Sequence, residues 1–216
     1  MIDPSLDVER ALWTQGKLRV AGVDEAGIGP LAGPVVAAAC VVPSGCEVIR
    51  GVRDSKLLSS AARERLLAGI LGQAIAVGLG AASVAEIDRL NVLRAAHLAM
   101  ARALARVGGY DHALIDGRPI RDIGLGPHTT IVDGDALCYS VSCASIVAKV
   151  TRDRLMKKLA VRWPGYGWDH NAGYGTREHR RGLVVHGLTP YHRRSFAPVR
   201  AVIELGVSLG PVDSPR

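Results

Sequence analysis

A chain of 216 residues with 48% apolar and 22% charged side chains can bury one sizeable core, which excludes a disordered polymer. Its longest apolar run, residues 35–42, falls far short of the roughly 20 needed to span a bilayer. The first dozen residues carry four charges and no apolar signal core, so a cytoplasmic protein is expected. The net charge of +7 is unevenly placed: twelve Lys and Arg against three Asp and Glu lie within 149–200, an excess larger than that of the whole chain. A basic C-terminal third of this kind suits a polyanion, whose phosphates release counterions when neutralised.

In chain order, residues 18–24 (LRVAGVD) predict a first strand and 33–42 a second, buried on both faces because its apolar run is unbroken. The connecting EAGIGPLAGP is rich in turn formers. Ser59 or Ser60 caps a helix over 61–72, with Leu66, Leu67, Ile70 and Leu71 as its apolar stripe. A third strand is expected over 73–82. Ser83 and Glu86 then form a capping box at the start of the next helix, and Asn91 caps a longer one that ends at Gly108-Gly109. Short strands follow at 112–116 and 129–135, then a long helix over 143–160, stopped by Pro164. An aromatic-bearing loop leads to helices near 177–186 and 198–205. Strands and helices mixed in this way predict an α/β domain around a central sheet. The expected division is a catalytic core over 1–160, a C-terminal helical substrate-binding segment of the same domain over 161–206, and a tail over 207–216. Cys40, Cys46, Cys138 and Cys143 show no paired spacing and read as small buried hydrophobes.

The acids are the informative residues. Asp24 and Glu25 close the first strand before Ala26-Gly27, Asp116 closes the fourth, and Asp133 and Asp135 lie two apart at the end of the fifth, where they should share a face. Consecutive acids at a strand end are poor core material and must be solvated, paired or bound to a cation. One such Asp can simply begin a turn, but acids ending three strands place a site where α/β sheets carry theirs. Three or four carboxylates suit hard cations such as Mg²⁺ or Mn²⁺ rather than zinc. The seven histidines show no metal-ligand spacing, and His179 reads as structural.

Several segments together resemble the ribonuclease HII family. They are Gly22-Val23-Asp24-Glu25-Ala26-Gly27 with Gly29-Pro30-Leu31-Ala32-Gly33-Pro34, then Asp54-Ser55-Lys56, Ile115-Asp116-Gly117 and Gly134-Asp135. They continue through 144–150 (ASIVAKV) with Arg152-Asp153, Gly173-Tyr174-Gly175-Thr176 with His179, and His192-Arg193-Arg194-Ser195-Phe196. The resemblance spans about residues 18–200 in order. It implies a ribonuclease H-like fold, a five-stranded mixed sheet flanked by helices with a C-terminal helical segment. It also implies that Asp24, Glu25, Asp116 and Asp135 are catalytic and hold two Mg²⁺ or Mn²⁺ ions. The implied substrate-binding residues are Gly27, Ile28, Gly29, Lys56, Tyr174, Arg193 and Arg194. The implied reaction is hydrolysis of RNA in RNA/DNA hybrids and on the 5′ side of ribonucleotides embedded in duplex DNA, leaving 3′-OH and 5′-phosphate ends, by a monomer with nucleic acid as its partner and no membrane.

Three positions depart from the family pattern. Ile28 stands where Arg is usual, Ala172 where Lys precedes Gly-Tyr, and Asp133 where Lys precedes Gly-Asp. Two rival readings follow: a ribonuclease H-fold nuclease acting on DNA alone, or a hybrid-binding protein with weakened catalysis. The four retained acids argue against the second.

Overall fold

The computed structural model describes residues 3–118, 124–204 and 206, so the tail expected at 207–216 lies outside the described residues. Its elements begin with a helix α1 (Asp7–Trp13), two strands β1 (Val20–Ala26) and β2 (Val35–Val41), helix α2 (Ser60–Gln73) and strand β3 (Ala76–Ala82). Helices α3 (Val84–Leu90) and α4 (Val92–Leu104) precede strands β4 (His112–Asp116) and β5 (His128–Ile131). The rest is helical: α5 (Gly134–Leu137), α6 (Tyr139–Arg162), α7 (Trp168–Asn171), α8 (Arg177–His186) and α9 (Ala197–Glu204).

These residues form two compact units, neither continuous in sequence. The first draws on 1–26, 36–81 and 96–151, the second on 27–35, 82–95 and 152–216. The first unit is built on a five-stranded sheet in the order β3-β2-β1-β4-β5. β1 runs antiparallel to β2 and parallel to β4, and β4 runs parallel to β5, so the sheet is mixed. All seven residues of β2 are buried, as its unbroken apolar run predicts. Ala38, Cys40 and Val42 share one face by the two-residue period and pack with Leu67 and Ile70 of α2 and with Cys143, Ile146 and Val147 of α6. At Gly22 a Cβ would lie 2.1 Å from the Ser140 carbonyl carbon, so only glycine lets α6 approach β1 this closely. The four cysteines are free, three of them buried.

Among the described residues, the second unit shows two apolar clusters. Leu31, Leu183, Leu188, Val199 and Val202 form one, while Ala32, Met156, Leu159, Tyr166 and Trp168 form the other.

Local capping sets several boundaries as the sequence predicts. Ser59 accepts from the Ala62 amide, Ser83 and Glu86 form the reciprocal capping box, and Asn91 accepts from Arg94. Three expectations are corrected. β5 stops at Ile131, and Asp133 is not on a strand: it turns the chain in a left-handed conformation (φ 56°), after which Asp135 lies in the first turn of α5. Asp133 and Asp135 therefore share no strand face. α6 begins at Tyr139 rather than 143, because buried Glu9 accepts from the amide and the hydroxyl of Ser140 at 2.8 and 2.6 Å. A one-turn helix, α7, interrupts the segment read as loop. No helix among the described residues is long and apolar enough to cross a membrane.

Candidate active site

The parallel register of β1 and β4 pairs Val23 with Ile115, so the next residue of each strand brings Asp24 beside Asp116. The turn after β5 delivers Asp135 on α5. Carboxylate oxygens of Asp24, Asp116 and Asp135 all lie within 4.8 Å of one another. Asp24 and Asp135 are buried and Asp116 is half-buried. Glu25, one residue on from Asp24, falls outside that three-residue group but feels its charge.

The carboxylates are held individually. An Asp116 oxygen accepts from the Gly134 amide at 2.7 Å, which ties β4 to the start of α5. An Asp24 oxygen accepts from the Glu25 amide at 2.7 Å. The Ser142 hydroxyl donates to the Asp135 carbonyl. Lys56 reaches Asp135 at 3.3 Å and Asp54 at 3.9 Å, with its side chain largely exposed.

Crowded, desolvated acids resist ionisation. Burial first, then the charges of Glu25 and Asp116, hold Asp24 well above the usual carboxylate range, against a hydrogen bond from Ser145. Burial and the Asp116 charge push Glu25 up to about 7, with Lys56 acting the other way. Asp135 is raised by burial, with Lys56 opposing. Burial works against the Lys56 ammonium, yet Asp135 and Asp54 keep its pKa above the ordinary lysine value. A cluster of this kind is stable as a set of anions only with positive charge among them.

The second unit carries the turn Gly27-Ile28-Gly29 and Tyr174. Gly27 has φ +108°, and a Cβ there would meet Arg152 Nε at 2.2 Å, so the position demands glycine. Gly29 is exposed, and a Cβ on it would lie 3.5 Å from Tyr174 Cε1, so the ring stands against the turn. Tyr174 is 46% exposed, open to a ligand.

A family model for ribonuclease HII matches residues 21–199. The chain belongs to the ribonuclease HII family. Ribonuclease HII of Thermosynechococcus vestitus is 57% identical over 192 residues, covering 89% of this chain and 90% of that one. Ribonuclease HII of a Synechococcus species is 52% identical over 202 residues, covering 93% and 91%. Among solved structures, ribonuclease H2 from Pyrococcus horikoshii is similar with a TM-score of 0.71 at 26% identity, covering 87% of this chain and 98% of that one. As a ribonuclease HII relative, the chain is a metal-dependent endoribonuclease of the ribonuclease H type, acting on the RNA of RNA/DNA hybrids.

One residue that the resemblance gives as substrate-binding, Arg193, lies in the interior. Arg193 is fully buried, its guanidinium spent on the carbonyls of Gly27, Ile28 and Gly33, so it cannot meet a duplex phosphate. Its neighbour Arg194 is exposed, with its amide anchored on Asp88 at 3.1 Å. His179 is buried, as a structural histidine should be. Arg152, which the sequence shows only as part of the resemblance and with no role, is also fully buried, and its guanidinium donates to the carbonyls of Ala32, Pro34 and Ala172. Carbonyl partners leave no mark in a sequence, because every residue has one.

Proposed function

We propose that Asp24, Asp116 and Asp135, with Glu25 beside them, form the catalytic centre, and that it cuts duplex nucleic acid on the 5′ side of a ribonucleotide. The observation that carries this reading is the convergence of three carboxylates, from two strand ends and one helix turn, within 4.8 Å. An all-oxygen donor set fits Mg²⁺ or Mn²⁺, and burial and neighbouring carboxylates raise the pKa values of Asp24 and Asp135, a repulsion that a bound cation would offset. Two such ions would supply activation of the attacking water and charge stabilisation at the leaving 3′ oxygen.

The chain's own residues do the rest. Asp116 keeps one oxygen on the Gly134 amide and has the other for a ligand. Lys56, exposed beside Asp135, is placed to meet a phosphate. The Gly27-Ile28-Gly29 turn offers backbone groups and Tyr174 an exposed ring to the junction ribose, whose 2′-OH distinguishes RNA from DNA. Gly27 follows Glu25 by two residues in the chain, and a cut on the 5′ side of the ribonucleotide is what the resemblance to ribonuclease HII implies. The products are a 3′-OH and a 5′-phosphate. Arg194, Arg177, Arg180 and Arg181 are exposed and suit the duplex backbone. Segment 161–206 serves as the substrate-binding part, and the protein works as a cytoplasmic monomer on RNA/DNA hybrids and on DNA containing ribonucleotides.

The test is cleavage of a duplex carrying one ribonucleotide by the wild type and by Asp116→Asn, with Mg²⁺ or Mn²⁺ and with chelator. The wild type should cut only with the ion, and Asp116→Asn should lose at least about 10³-fold in rate while remaining folded, given how much transition-state charge such sites stabilise. Near-normal turnover by Asp116→Asn would remove the assignment. Equal cutting of an all-DNA duplex would favour a DNA nuclease instead.

A further inference from the structure

The segment 191–193 runs beside 31–33 as a short antiparallel ladder. The Arg193 amide donates to the Leu31 carbonyl at 2.9 Å, the Gly33 amide donates to the Tyr191 carbonyl at 2.8 Å, and Ala32 faces His192. On such a ladder consecutive side chains leave in opposite directions. His192 and Arg193 are almost wholly buried, at 1% and 0% exposure, so neither can touch a duplex. Each side chain leads to one element of the proposed ribose-contacting surface.

Arg193 leads to the turn. Its Nη2 donates to the Gly27 carbonyl at 2.6 Å, Nη1 to Ile28 at 2.9 Å and Nε to Gly33 at 2.9 Å. Its guanidinium lies 5.2 Å from the Phe196 ring centre, and no carboxylate among the described residues forms an ion pair with it. A planar fork fixes three carbonyls at once, which a lysine cannot do. With those carbonyls turned inward, the amides of Ile28 and Gly29 donate to no acceptor among the described residues.

His192 leads to Tyr174. The Thr189 amide can only donate, so His192 Nδ1, 2.9 Å away, is unprotonated and Nε2 carries the hydrogen. That Nε2–H donates to His179 Nε2 at 3.0 Å, which also accepts from Trp168 Nε1 at 3.0 Å. His179 must then carry its hydrogen on Nδ1, which donates to the Tyr174 carbonyl at 2.9 Å. Burial keeps both rings neutral, with His192 pushed down to about 3 by burial and by His179. The hydrogen-bond order therefore does not change through the neutral range.

We infer that His192-Arg193 is a single positioning element for ribose selection, Arg193 setting the Gly27-Ile28-Gly29 turn and His192, through His179, setting Tyr174. The inference rests on the proposed role of that turn and that tyrosine. Telling one hydroxyl from a hydrogen requires polar groups held to within about half an ångström, which buried, fully bonded supports provide. The element acts on binding and selectivity, not on the carboxylates.

The experiment measures KM and kcat on a single-ribonucleotide duplex, preference over an all-DNA duplex, Mn²⁺ binding by calorimetry and folding by circular dichroism. Arg193→Lys keeps the charge and loses the fork. It should raise KM about tenfold or more and reduce the preference by a similar factor, with Mn²⁺ binding unchanged. His179→Leu should also raise KM, and His179→Asn, whose amide can still donate to the Tyr174 carbonyl, should recover most of that loss. The two His179 variants decide the matter if Arg193→Lys does not fold. Folded variants with wild-type KM and preference would overturn the inference while leaving the proposed function intact. A wild type that leaves the ribonucleotide duplex uncut would overturn both.

Discussion

Asp133 and Asp135 differ by two positions and have opposite fates. Asp135 is buried beside Asp24 and Asp116, whereas Asp133 is exposed and holds a left-handed backbone conformation at the head of α5. Asp135→Asn should therefore cost at least about 100-fold in rate, since a ligand charge is lost at the centre of the cluster. Asp133→Asn should stay within about threefold, because Asn adopts that backbone conformation as readily as Asp. Steady-state rates of the two variants side by side check this, and a larger loss at Asp133 would shift the ligand set by two residues. The closeness of Asp24 and Asp116 was legible in the sequence because each ends an apolar strand, and the parallel register of those strands sets the two ends side by side. The burial of Arg193, which the resemblance gives as substrate-binding, was not legible because its acceptors lie about 160 positions away and are backbone carbonyls.

At the scale of elements, legibility tracks how local the cause is. α8 was expected at 177–186 and is found at Arg177–His186, since Thr176 caps it within its own first turn. The start of α6 depends instead on Glu9, 131 positions upstream, whose carboxylate bonds the Ser140 amide and hydroxyl. No window of sequence contains that pair, and Tyr139-Ser140-Val141-Ser142 is a poor helix former by itself. Burial raises the Glu9 pKa, and its second oxygen has no partner among the described residues. Glu9→Ala should cost about 1–3 kcal/mol, the price of a lost cap and an unsatisfied buried amide. Glu9→Gln, which keeps an acceptor oxygen, should cost less. Denaturant unfolding measures both, and an unchanged midpoint for Glu9→Ala would show that α6 needs no such cap.

For the molecule as a whole, stability and pH are linked through the buried histidines. His192 is held at about 3 in the folded protein, below the roughly 6.5 of an unfolded histidine. Between those values the unfolded chain binds the extra proton, so this contribution is fully present above about pH 6.5 and is lost as pH falls toward 3. The raised carboxyls of Asp24 and Glu25 act in the opposite sense, losing stability as pH rises toward about 7. Comparing the wild type with His192→Asn cancels them. The stability gap between the two should be about 2 kcal/mol narrower at pH 5 than at pH 7.5. A gap that does not change with pH would mean that His192 is not neutral and buried as described.

The most direct test of the account is end-group analysis of the cut in a duplex bearing a single ribonucleotide. With Mg²⁺ or Mn²⁺ present, cleavage should fall on the 5′ side of the ribonucleotide, leaving a 3′-OH on one fragment and a 5′-phosphate on the other. Water is then the nucleophile, and the 2′-OH serves only for recognition. A 2′,3′-cyclic phosphate, or a cut on the 3′ side, would contradict it.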